Sequence, residues 1–171
     1  MTPTKQRLQN GEEVRGALAG ALASPKVVEI LGMFGDFHAV WIDQEHCGLT
    51  QGQIELLMMA CRASATEGFV RVPPLDYCTI MRPMEAGCGG VLTAQIHSVA
   101  DARQVVECAK YPPMGVRGLF GGNYECQWGA QPPAEFIEEA NANRWVGIQI
   151  EPLGALDTVE ELSLIHISEP T

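Results

Sequence analysis

Positive charge is scarce in this sequence. It has 11 Lys and Arg against 21 Asp and Glu, a formal net charge of −10. With no basic stripe to neutralise phosphates, nucleic acid is excluded as the expected partner. An anionic membrane surface is excluded on the same ground. No apolar window is long enough to cross a bilayer. The short apolar stretch Gly16–Ser24 follows Glu12 and Glu13 and reads as a first strand rather than a leader. A dinucleotide or Walker fingerprint is missing too. The six cysteines, at 47, 61, 78, 88, 108 and 126, include no C-x-x-C pair and no zinc spacing. They read as reduced, packed thiols of a cytoplasmic protein.

What is present is an alternation. The chain has 171 residues, 46% of them hydrophobic, enough for one sizeable core. Short apolar runs read as buried parallel strands at Gly16–Leu22, Ala39–Ile42, Phe69–Val72, Val91–Thr93 and Trp145–Ile150. Helical stretches lie between them. One is near Lys26–Leu31. Another opens at Thr50 and Gln53 with a capping box and repeats Ile54, Leu57, Met58 and Cys61 at helical spacing. A third runs from about Tyr77 to Ala86, with a kink or early stop expected at Pro83. A fourth is capped by Ser98 and turns Ala102, Val105, Val106 and Ala109 inward. The last is Ala134–Ala140, begun by Pro132 and Pro133. Gly87, Gly89 and Gly90 precede a strand rather than a helix, so tight packing is expected there, not a phosphate cradle. The Gly-rich connection from Tyr111 to Trp128 is long enough to suggest function.

Strand and helix alternating with right-handed crossovers give an α/β fold with a parallel sheet, either a barrel or a doubly wound layer. Polar residues gather where the strands end: Asp43, Gln44, Glu45 and His46 after the second, Arg71 on the third, Gln149 and Glu151 on the last. Chemistry in barrel enzymes collects at such ends, which favours the (β/α)8 TIM barrel. The inventory is an acid/base, a carboxylate anchor and a metal ligand.

These residues resemble the HpcH/HpaI aldolase/citrate lyase family of metal-dependent pyruvate aldolases. The likeness lies in Val40–Trp41–Ile42–Asp43–Gln44–Glu45–His46, in Val70–Arg71–Val72–Pro73, in Tyr111–Pro112–Pro113–Met114–Gly115–Val116–Arg117–Gly118 and in Ile148–Gln149–Ile150–Glu151. A weaker match is Glu85–Ala86–Gly87. The resemblance implies a barrel of the phosphoenolpyruvate/pyruvate type, assembled as a homo-oligomer, usually a hexamer. It implies carbon–carbon lyase chemistry on a small 2-oxo acid and an aldehyde: 4-hydroxy-2-oxo acids cleaved to pyruvate and an aldehyde, through a metal-stabilised enolate. Glu151 is then a metal ligand for Mg²⁺, Mn²⁺ or Co²⁺, and a second carboxylate ligand is expected on a later strand. Arg71 clamps the substrate carboxylate. His46 is the acid/base, with Asp43 orienting its ring. Gln149 supports substrate or metal. Glu85 stands where relatives place an acid that reaches a neighbouring subunit. Thr93–Ala94 replaces the Val-Pro of many relatives and marks a divergent branch. A citryl- or malyl-CoA lyase-like enzyme and a non-catalytic barrel with structural polar clusters are the alternative readings.

Residues 162–171 resemble the in-frame translation of a sequencing adapter, so His166 is given no role. A complete barrel takes about 250 residues. Residues 1–161 are therefore expected to be a partial aldolase barrel of about five β/α units, which by itself folds poorly and does not turn over.

Overall fold

The computed structural model describes residues 2–165. A short helix α1 (Thr4–Gln9) leads into β1 (Gly16–Leu18) and α2 (Pro25–Phe34). Then follow β2 (Ala39–Asp43), α3 (Gln51–Ala63), β3 (Glu67–Val72), α4 (Tyr77–Glu85), β4 (Gly90–Thr93), α5 (Val99–Ala109), α6 (Pro133–Asn143) and β5 (Trp145–Ile148). Two short helices, α7 (Leu153–Leu156) and α8 (Val159–Leu164), close the described chain.

The five strands form one parallel sheet in sequence order. That order has no reversal point, so the sheet is wound in one direction like a barrel wall and not doubly wound. On one face lie Val40, Ile42, Val70, Val72 and Val91, all buried. Against them pack Ile54, Leu57, Met58 and Cys61 of α3, Ile80 and Met84 of α4, and Ala102 and Val105 of α5. Contact here is close: a methyl on Gly68 would run into the Met58 thioether.

Period-two alternation puts the other residues on the opposite face. There Trp41 pairs in register with Phe69, Phe69 with Gly90, and Gly90 with Trp145. The Trp41 and Phe69 rings are 5.8 Å apart and Phe69 and Trp145 5.1 Å. Gly90 is glycine because the Trp145 ring occupies the space a side chain would fill. Gly89 is likewise filled by Glu67, so tight packing is what this glycine cluster does. The next row on this face holds Asp43, Arg71, Leu92 and Gly147.

The expected helix starts are capped as the sequence indicates. Thr50 accepts from the Gln53 amide at 3.3 Å while the Gln53 side chain accepts from Thr50 N at 2.8 Å. Ser98 accepts from the Asp101 amide. Two strand ends need correction. The first strand stops at Leu18, because Gly20 takes a left-handed φ of 50° and the chain turns into a 3-10 helix, Gly20–Leu22. The last strand ends at Ile148 rather than Ile150. Pro83, where a kink or early stop was expected, is buried inside α4, which ends two residues later at Glu85. The boundary expected at 161/162 falls within α8, whose Leu162 joins the main core. His166 lies outside the described residues.

Candidate active site

The C-terminal ends of β2, β3 and β5 bring four of the five expected residues towards one another. Asp43 ends β2 and is paired in register with Arg71 of β3. Its carboxylate takes two bonds from the guanidinium, Nε to Oδ1 at 3.0 Å and Nη2 to Oδ2 at 2.6 Å. The same Oδ1 accepts the amides of Glu45 and His46. One side chain therefore both folds the 43–46 loop and fixes the arginine. Burial pushes the Asp43 carboxyl up, but the Arg71 hydrogen bond and the two amides outweigh it, and the net is below its ordinary value of 3.8. Arg71 is in turn held more strongly protonated, chiefly by the Asp43 bond, against burial and with help from Glu45 and Glu151.

Arg71 spends one edge of its fork on Asp43. Its Nη1 points to Gln149 Oε1 at 3.5 Å, a weak contact. The guanidinium lies 5.1 Å from the Trp41 ring centroid, a cation–π contact that supports the plane. The remaining N–H groups keep the geometry needed to bind a carboxylate in two places.

His46 is exposed, its side chain 68% accessible against 6% for Asp43 and 12% for Arg71. The expected Asp43–imidazole contact is not the arrangement found. Asp43 touches the His46 amide, and it is Glu45 that faces the ring, 3.5 Å from Nε2. The reason is local: Asp43 Oδ1 closes the turn, so its carboxylate is held to the backbone and Arg71. Glu45 also lies 3.3 Å from Arg71 Nε. That N–H is directed at Asp43, so the Glu45 contact is electrostatic and its buried Oε2 makes no hydrogen bond.

Glu151 stands just beyond β5, exposed, with Oε2 accepting from both the amide and the side-chain nitrogen of Gln95 at 3.2 Å each. Among the described residues no three His, Cys, Asp or Glu side chains converge as a metal cluster. Glu151 and Gln149 offer hard oxygens, the right type for Mg²⁺ or Mn²⁺, and one charged ligand of the one or two such ions take. Gln95 and Trp41 were not singled out in the sequence. Gln95 carries no motif signal, and a strand tryptophan reads as core.

The Tyr111–Gly118 motif lies elsewhere. Arg117 is buried on Glu125, which also takes Tyr111 Oη at 3.3 Å and lies 3.4 Å from Arg144 Nε. Arg144 directly precedes β5, so this network ties down the N-terminal end of the sheet, opposite Asp43 and Arg71. In barrels that end reads as stability rather than chemistry.

The profile of the HpcH/HpaI aldolase/citrate lyase family matches residues 18–166. The chain belongs to this family. It is 32% identical over 146 residues to a 4-hydroxy-2-oxovalerate aldolase of Novosphingobium aromaticivorans, covering 85% of this chain and 54% of that protein. A 5-keto-4-deoxy-D-glucarate aldolase of Salmonella paratyphi A is 28% identical over 152 residues, covering 89% and 58%. Among solved structures, an HpcH/HpaI aldolase from Desulfitobacterium hafniense superposes with a TM-score of 0.89 at 25% identity, over 96% of this chain and 63% of that one. This family member thus spans little more than half the length of the curated relatives it matches.

Proposed function

We propose that this chain forms the substrate-binding part of a metal-dependent aldolase that cleaves 4-hydroxy-2-oxo acids to pyruvate and an aldehyde, or runs the reverse addition. The observation that carries the reading is Arg71. A strand-end arginine is locked by Asp43 along one edge, reaches Gln149 with the other and feels the charge of Glu151. That is how a carboxylate clamp is preorganised. The names of the relatives support the substrate class.

In this reading Arg71 binds the carboxylate of the 2-oxo acid and sets its orientation on the sheet face. Glu151 and Gln149 would hold a divalent cation, Mg²⁺, Mn²⁺ or Co²⁺, which when bound would supply Lewis acidity to the 2-oxo acid. His46, free in solvent and flanked by Glu45, exchanges the proton of the aldol hydroxyl. Glu45 takes the ring-orienting part first given to Asp43, whose task is to hold Arg71. The whole protein is proposed to be a cytoplasmic homo-oligomeric (β/α)8 barrel, hexameric as the family resemblance implies. The six described cysteines are unpaired, in keeping with a reducing compartment.

The test is steady-state cleavage of 4-hydroxy-2-oxo acids by a form extended to the length of the relatives. Arg71→Ala is expected to lower kcat/KM by about a hundredfold or more, mainly through KM. His46→Ala is expected to lower kcat about a hundredfold. Unchanged cleavage in both variants would sink the assignment and leave a structural cluster.

A further inference from the structure

Gln95 follows β4 by two residues and adopts φ 55°, a left-handed conformation that a side chain with a Cβ rarely takes. Nothing in its own loop demands glutamine there. Its side chain borders a cleft of about 360 Å³ with His97 and Ile80 on one side. On the other it meets Glu151, 56 residues away in sequence. Both its donors, the backbone N–H and Nε2, converge on one oxygen of that acid, Oε2. The left-handed backbone points the amide and the side chain in the same direction. Strain of this kind persists at functional sites because the surroundings over-determine it.

We propose that Gln95 is a positioning residue. By occupying Oε2 with two donors it fixes the rotamer of Glu151 and leaves Oε1 directed to the cation and substrate. The inference rests on the reading of Glu151 as a cation ligand and adds that the ligand is preorganised across the β4–β5 boundary by a residue outside every recognised motif. Two donors on one oxygen also draw charge from it, so the free oxygen becomes the ligand atom.

The experiment is Mn²⁺ titration of the full chain, read by the electron paramagnetic resonance signal of the free ion, with thermal melts of the same samples. Gln95→Gly keeps the amide, removes Nε2 and relaxes the left-handed strain. Gln95→Met keeps the strain and the side-chain length but removes the donor. Both are expected to weaken Mn²⁺ binding about tenfold, while Gln95→Gly melts no lower than the parent chain and Gln95→Met no higher. A merely structural glutamine would tie affinity to melting temperature. Glu151→Gln separates the two ideas. If it abolishes Mn²⁺ binding while both Gln95 variants bind as the parent does, the positioning role is overturned and the cation reading stands. If Glu151→Gln binds as the parent does, the cation reading fails and this inference with it.

Discussion

Asp43 shows how one side chain couples folding to function. It closes a turn through two amides and holds Arg71 through two more bonds, all while buried. Replacing it by Asn leaves a guanidinium largely buried with half its partner, and about 2–4 kcal/mol of stability is expected to be lost in urea unfolding. The same residue gives a pH dependence with a definite sign. Its folded-state proton affinity is below the ordinary one, so the unfolded chain takes up the proton first as acid is added. The stabilisation is complete above pH 3.8 and is lost as pH falls through the lower folded value. Denaturant midpoints followed downward from neutral pH should show a steeper acid fall in the parent than in Asp43→Asn. Equal slopes would contradict the assignment. Asp43, Arg71 and His46 were visible in the sequence because polar residues stood out against apolar runs. Their pairing was not, since Asp43 could reach either the imidazole or the guanidinium, and only register put Arg71 directly opposite it.

At the scale of elements, alternation of strand and helix was plain, and the caps at Thr50 and Ser98 fixed two helix starts. The ends were less legible: Gly20 ends the extended run by its φ, which a run of Ala, Leu and Gly does not announce. Gly90 is legible only in three dimensions, since its neighbour in space, Trp145, is 55 positions on. Gly90→Ala should therefore push the Trp145 ring from the sheet and lower stability by about 1–3 kcal/mol, measurable by thermal unfolding. An unchanged melting temperature would show that the ring moves freely. The connection after α5 carries Arg117 and Glu125, which with Arg144 at the end of α6 form a network below β5. Glu125→Gln strips a buried arginine of its counter-charge and is expected to lose about 3–5 kcal/mol. The double change Arg117→Met with Glu125→Leu should lose less than Glu125→Gln alone, because the fully buried charge of Arg117 goes with its partner and only the partly exposed Arg144 is left.

For the whole molecule, sequential strand order and one covered face define a singly wound parallel sheet, while the other face keeps Trp41, Phe69 and Trp145 only partly covered. The covered face and the opposite face are set by the same two-residue period, which is why the polar strand-end residues Asp43 and Arg71 share one row. What the sequence left open was the rest of the proposed ligand shell, because a cation site of this kind draws on several strands and only Glu151 stood out here. Among the described residues no helix is long and apolar enough to span a membrane. The central claim, a carboxylate clamp at Arg71 beside a cation held through Glu151, is tested most directly by chelation. In a form extended to the length of the relatives, release of pyruvate from a 4-hydroxy-2-oxo acid is followed before and after removal of divalent ions. Loss of turnover that returns with added Mg²⁺ or Mn²⁺, but not in Glu151→Gln, is the expected result. Undiminished release from the metal-stripped protein would contradict the claim.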